Sequence, residues 1–192
     1  MSIHTTVGQD PDSNDVVILL EQQHEEIRRR MERVLAVDGK ERRKAFHALV
    51  HLLAVHETAE EEVVHPHVRR VLEDGDELVA GLLEQEAEAK RLLAALEDTD
   101  PDAAEFRPRF LALRDAVEAH ARAEEEQEFP ALRAASDDGA LQSLAKLLRT
   151  AEIVAPTRPH PGMESRARNL ALGPFAAVAD RTRDAVRRML GG

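Results

Sequence analysis

The chemistry open to this sequence rests on His24, His56, Glu60, Glu86, His120 and Glu124. His56 and Glu60 are four residues apart, as are His120 and Glu124, so each pair projects from one face of a helix. His24 lies between Leu20 and Ile27, and Glu86 between Leu82 and Ala89, where an apolar stripe would otherwise continue. All of these side chains therefore point toward a core, and burying them without compensation would cost many kcal/mol. Metal ions supply the compensation. Imidazole and carboxylate donors without sulfur suit iron, manganese or zinc. The set is too large for one tetrahedral zinc. It fits two octahedral ions bridged by Glu60 and Glu124, with His56 and His120 capping opposite ions and His24 and Glu86 completing them. Positions would remain for an oxo, hydroxo or exogenous ligand.

An internal repeat strengthens this reading. His56, Glu60, Glu61 and Pro66 recur as His120, Glu124, Glu125 and Pro130, at an offset of 64. At an offset of 62, Val17, Leu20, Ile27, Met31 and Val34 recur as Val79, Leu82, Ala89, Leu93 and Leu96. One helix pair is written twice.

The elements that must position these residues are helices. The spacing predicts them over residues 14–37, 40–72, 77–96, 105–135 and 138–154, with Asn14 capping the first and Pro66 and Pro130 kinking or shortening two others. The predicted fold is all-α, an up-down-up-down four-helix bundle with additional C-terminal helices. Residues 1–13 read as a disordered N-terminus, 14–135 as the bundle, and 136–192 as a helical extension. The extension holds an irregular Pro-rich segment and a last helix from Pro174, with Phe175, Val178, Ala179 and Val186 on its apolar stripe.

Composition narrows the function classes. The chain has 192 residues and a formal net charge of -11, an unfavourable balance for gripping nucleic-acid phosphates. The charge is uneven: residues from Lys146 onward carry +5 against -16 for the rest, which favours packing of the tail on the body. There is no cysteine, which removes disulfides, thiolate zinc sites, iron–sulfur clusters and cysteine nucleophiles. A polar N-terminus, and the lack of any apolar run near the roughly 18 residues a membrane span needs, point to a cytoplasmic protein with no membrane partner. Neither a Gly-rich phosphate loop nor a nucleophile with a positioned base is present.

His24, the doubled H-x3-E motif, the second Glu beside each pair and the proline ten residues after each histidine resemble the hemerythrin-like (HHE cation-binding) family over roughly residues 14–135. The resemblance implies a four-helix bundle holding two non-haem iron ions, oxo- or hydroxo-bridged, with manganese or zinc as substitutes, that react with dioxygen, peroxide or nitric oxide. Glu86 departs from the family pattern, which usually has histidine there, and the H-x3-H pair of oxygen carriers is missing. An anionic carboxylate favours the ferric state. Oxygen transport therefore ranks below peroxide or nitric-oxide chemistry, or oxidant sensing.

Plainer roles stand beside these. His24 alone could be a hydrogen-bonded core histidine, and Glu86 could pair with Lys90 four residues on. Glu61 and Glu125 sit about 100° round the helix from Glu60 and Glu124, as groups orienting the imidazoles or lining the bundle. His47, His51 and His65 face away from His56, and His67 falls at the bundle end. His4 and His160 carry no argument. A metal-dependent oxygen or iron sensor read out by the C-terminal segment, or an interaction module without turnover, are the competing functions. The protein acts as a monomer or homodimer in either case.

Overall fold

The computed structural model describes residues 14–97 and 99–154. Among the described residues there are five helices and no strand. Helix α1 is Val16–Ala36. Helix α2 spans residues 39–71 as Gly39–Ala59, a π-helical turn Glu60–Val64, and His65–Val71. Helix α3 is Gly75–Glu97. Helix α4 spans residues 106–135 as Phe106–Ala123, a second π turn Glu124–Glu128, and Phe129–Ala135. Helix α5 is Asp138–Val154. The expected tail beyond residue 154, with its Pro-rich segment and last helix, lies outside the described residues, as do the N-terminal 13, His4 and His160.

The first four helices form the bundle. Every residue of the repeated stripes, from Val17 to Val34 and from Val79 to Leu96, is buried. The N-cap of α1 is Asp15 rather than Asn14, with its carboxylate accepting from the Val17 and Ile18 N–H groups at 2.8 and 3.4 Å. One residue of slippage in a cap is ordinary, because either side chain satisfies the orphan donors. The α1–α2 turn needs Gly39, whose φ of +56° lies in the left-handed region. Arg42 ties this end together, donating to Val37 O at 2.8 Å and Pro101 O at 2.9 Å. At the opposite end α3 starts hard against α2: a Cβ on Gly75 would stand 2.5 Å from Val68 O.

Pro66 and Pro130 neither end nor break their helices. Each lies just beyond a π turn, in which the N–H of His65 bonds Glu60 O and that of Phe129 bonds Glu124 O. A proline lacks its own N–H and crowds the carbonyl four residues back; the widened turn absorbs both defects and lets the helix continue.

The apolar core is split in two. One part gathers Leu20, Val64, Val79, Phe129 and Leu132 with Leu144 and Leu148 of α5. The other gathers Ile27, Met31, Leu53, Leu93, Phe110 and Val117, with Phe46 and Phe106 edge-to-face at 5.3 Å. Between them lies a slab of polar side chains.

Candidate metal centre

His24, His56, Glu60, Glu86, His120 and Glu124 all lie in this slab, each 2% exposed or less. Glu57, His65 and Glu128 join them, at 5%, 2% and 0% exposure. Apart from Gln22 Oε1, every described buried side-chain polar atom without a hydrogen-bond partner belongs to His24, Glu60, His65, Glu86, His120, Glu124 or Glu128. Native proteins leave few such atoms, and here they share one place.

The donors sort into groups whose ligand atoms lie within 4.8 Å of one another: His24, His56, Glu60 and Glu124; then Glu57, Glu60 and His120; then His65, Glu124 and Glu128. Glu60 links the first two groups and Glu124 links the first to the third. His24 Nε2 stands 3.2 Å from Glu124, His56 Nε2 3.3 Å from Glu60, and His120 Nε2 3.3 Å from Glu124 and 3.5 Å from Glu57.

Two imidazoles are oriented from behind. His56 Nδ1 donates to Gln23 Oε1 at 2.8 Å, and His24 Nδ1 donates to Glu125 Oε1 at 2.8 Å. Each ring thereby turns Nε2 into the slab as a free donor, the usual arrangement behind metal-bound histidine. Arg28 holds Glu125 in turn, at 2.9 Å. The His24 ring is also stacked on Phe129, with centroids 5.6 Å apart.

Electrostatics confirm how ill-suited these groups are to stand alone. Burial, then the charge of Glu124, raises Glu128 to about 8. Burial, then the charges of Glu57 and Glu61, raises Glu86 to about 9. Burial and surrounding carboxylates hold Glu60 well above its ordinary value. Burial followed by the charge of His24 lowers His56 to about 4. Burial would lower His120, but its contact with Glu57 outweighs that and raises it to about 9.

Glu86 faces the slab yet lies outside the three groups. Its carboxylate meets the Lys90 ammonium, which also donates to Glu61 at 2.8 Å. Glu125 orients His24, whereas its repeat counterpart Glu61 pairs with Lys90 instead.

Sequence spacing misplaces His65. Nine residues past His56 on a regular α-helix is half a turn away. The π turn adds a residue to one turn, so His65 sits one turn beyond Glu60 and points inward. Glu128 needs no such turn: four residues past Glu124, it shares that face on a regular helix as well. Spacing passes over Glu57 because it follows a motif histidine by one residue. A signal existed in the repeat: Glu57, His65 and Glu128 correspond to Ala121, Phe129 and Val64, so each is polar where its counterpart is apolar. His67 lies at the bundle end, 3.1 Å from Ser136 Oγ.

A cavity of about 10 Å³ adjoins the donors, lined by His24, His56, Glu57 and His120, by Ile27, Met31 and Val117, and by Arg28 and Glu118.

Fold and site together define a helical bundle built to hold cations in its core. The chain belongs to the hemerythrin HHE cation binding domain family, whose model matches residues 15–132. Its structure is similar to that of a hemerythrin HHE cation binding domain-containing protein from Mycobacterium kansasii, with a TM-score of 0.66 and 18% identity over 88% of this chain and 98% of that one. A curated relative from Nostoc sp., named DNA nickase, is 41% identical over 81 residues, covering 42% of this chain and 22% of the relative. The chain thus spans about a fifth of that relative's length. No described helix is long and apolar enough to cross a membrane.

Proposed function

We propose that this chain is a non-haem di-iron protein that reacts with dioxygen, peroxide or nitric oxide, in oxidant removal or sensing. The observation that carries the reading is the slab of buried donors, most of them with unpartnered atoms, in two groups joined through Glu60. His24, His56, Glu60 and Glu124 would hold one ion and Glu57, Glu60 and His120 the other, with Glu60 shared and Glu124, 3.3 Å from His120, within reach of both. Iron bound there supplies one-electron redox chemistry and a coordination position for a small molecule. Glu86 would complete the second ion by leaving Lys90, which would keep Glu61 as its partner.

The other residues tune and restrict. Gln23 and Glu125 fix the tautomers of His56 and His24. A cavity of about 10 Å³ has room for about one water-sized molecule, which favours a small inorganic ligand over an organic substrate. Ile27, Met31 and Val117 give it an apolar part, while Arg28 and Glu118, which pair at 3.3 Å, line its outer side. The excess of carboxylate over imidazole stabilises ferric iron, which favours oxidant consumption over reversible oxygen carriage. The net charge of -11 speaks against a DNA partner, so the relative's name is not carried over. The same reading makes the protein cytoplasmic, free of membrane partners, and monomeric or homodimeric.

Iron content with the near-ultraviolet and visible spectrum is the test. Trp and Tyr are absent, so the charge-transfer region is clear. About two irons per chain with an oxo-bridge band is the expected result. No bound metal after ferrous reconstitution would overturn the reading and leave an interaction module. Repeated uptake and release of dioxygen by the diferrous protein, without oxidation, would overturn the preference for oxidant chemistry.

One observation favours the sensor version. Gln23, which holds His56, also donates to Glu152 on α5. Ion binding at His56 thereby reaches the C-terminal extension. Hydrogen exchange of α5 amides should slow on loading; equal exchange in apo and loaded protein would remove this version.

A further inference from the structure

The two halves of the repeat diverge in the core at the end of the π turns. At the last residue of each turn Val64 matches Glu128, and at the next position His65 matches Phe129. All four side chains are buried, at 0%, 0%, 2% and 1% exposure. On one flank of the centre the pair is apolar, with Phe129 under the His24 ring. On the other flank the core positions are filled by an imidazole and a carboxylate. Neither ring nitrogen of His65 and neither oxygen of Glu128 has a hydrogen-bond partner.

These unpartnered groups face each other. His65 Nε2 stands 3.7 Å from Glu128 Oε1. That is too long for the hydrogen bond a neutral imidazole and a carboxylic acid would form. Two donors bound at about 2.1 Å to one ion stand roughly 3.0–4.2 Å apart, and the pair falls inside that range. Glu124 brings a third donor atom within 4.8 Å of both.

We propose that His65, Glu128 and Glu124 form a third cation site beside the two-ion centre, for a divalent ion such as Fe(II), Mn(II) or Zn(II). This rests on the two-ion reading, because Glu124 serves both. One imidazole and two carboxylates leave coordination positions for water, so the third ion is the most weakly held and the most exchangeable. It is also the one placed to move onto the pair through the shared carboxylate.

The experiment is titration of the metal-free full chain with Co(II) alone, followed by its visible absorption and by calorimetry. The wild type should take up three ions in separable steps. His65→Phe and Glu128→Val install the side chains that the repeat itself uses at these positions, and each should take up two. Glu128→Gln, nearly isosteric, should also take up two, which guards against misfolding of the valine variant; far-ultraviolet circular dichroism checks all three. The iron-loaded variants should keep the oxo-bridge band. Two ions in wild type and variants alike would overturn the third site and leave the pair standing. One ion or none in wild type would overturn both. Variants that fall below two ions, or lose the bridge band, would place His65 and Glu128 in the primary centre and overturn a separate site.

Discussion

At the scale of single residues, a donor's neighbours matter as much as the donor. His24 and His56 are held through Nδ1 by Glu125 and Gln23, behind the rings from the Nε2 atoms. Glu125→Gln keeps the shape but loses the charge-assisted bond. It should weaken ion affinity by about 10–100-fold with the count at saturation unchanged, as read by competition against a chelator. Glu60 is different in kind, because two donor groups share it. Glu60→Gln should reduce bound iron to one per chain or less and abolish the bridge band. A Glu60→Gln protein that still holds two bridged irons would show that Glu60 is not a bridge.

At the scale of elements, the two π turns do the positioning. Both begin at the glutamate of an H-x3-E pair and end just before a proline. Deleting Glu62 would leave His65 four residues past Glu60, one regular α turn on and still facing inward, but would remove the wide turn ahead of Pro66. The proline ring would then crowd the carbonyl of Glu61, four residues back, so the thermal midpoint should drop in apo and loaded protein alike. An unchanged midpoint would mean that the wide turn is not what accommodates Pro66. Gly75 marks the other constraint. A methyl group added there would meet Val68 O at 2.5 Å and Arg69 Cα at 2.8 Å. Gly75→Ala therefore forces backbone apart and should cost about 1–3 kcal/mol in chemical denaturation.

For the whole molecule, the slab makes metal-free stability depend on pH. Glu86 and Glu128 are raised to about 9 and about 8, His120 to about 9, and Glu60 and His24 are raised as well. Raised groups bind more protons folded than unfolded, so their contribution is lost as pH climbs through the folded values. His56 is lowered to about 4 and acts oppositely, but only below its ordinary value near 6.5. Between about pH 6.5 and 9 the metal-free protein should therefore lose stability steadily. The loaded protein should not, because bound ions take the place of the protons. Loading should also release protons and weaken on acidification. Denaturant midpoints across this range, with and without iron, check the divergence; parallel profiles would mean that the ions do not replace those protons.

The sequence by itself determined the helical bundle, the two repeated stripes and the inward direction of His24, His56, Glu60, Glu86, His120 and Glu124. Each of these follows from local spacing, and a regular helix converts spacing into direction without reference to anything else. The polar gap in the core was legible for the same reason, as one ionisable residue in each stripe where an apolar one was due. What only the tertiary structure decided was which donors meet. Glu57 reaches His120 across two helices, Glu86 meets Lys90, and Gln23 joins His56 to α5; no periodicity encodes a contact between elements. Glu128 was legible as well, four residues past Glu124, but His65 depended on the first π turn, where the helical period itself changes. A fixed rotation of 100° per residue assigns the wrong face to everything beyond such a turn, and only the fold shows where the extra residue is absorbed.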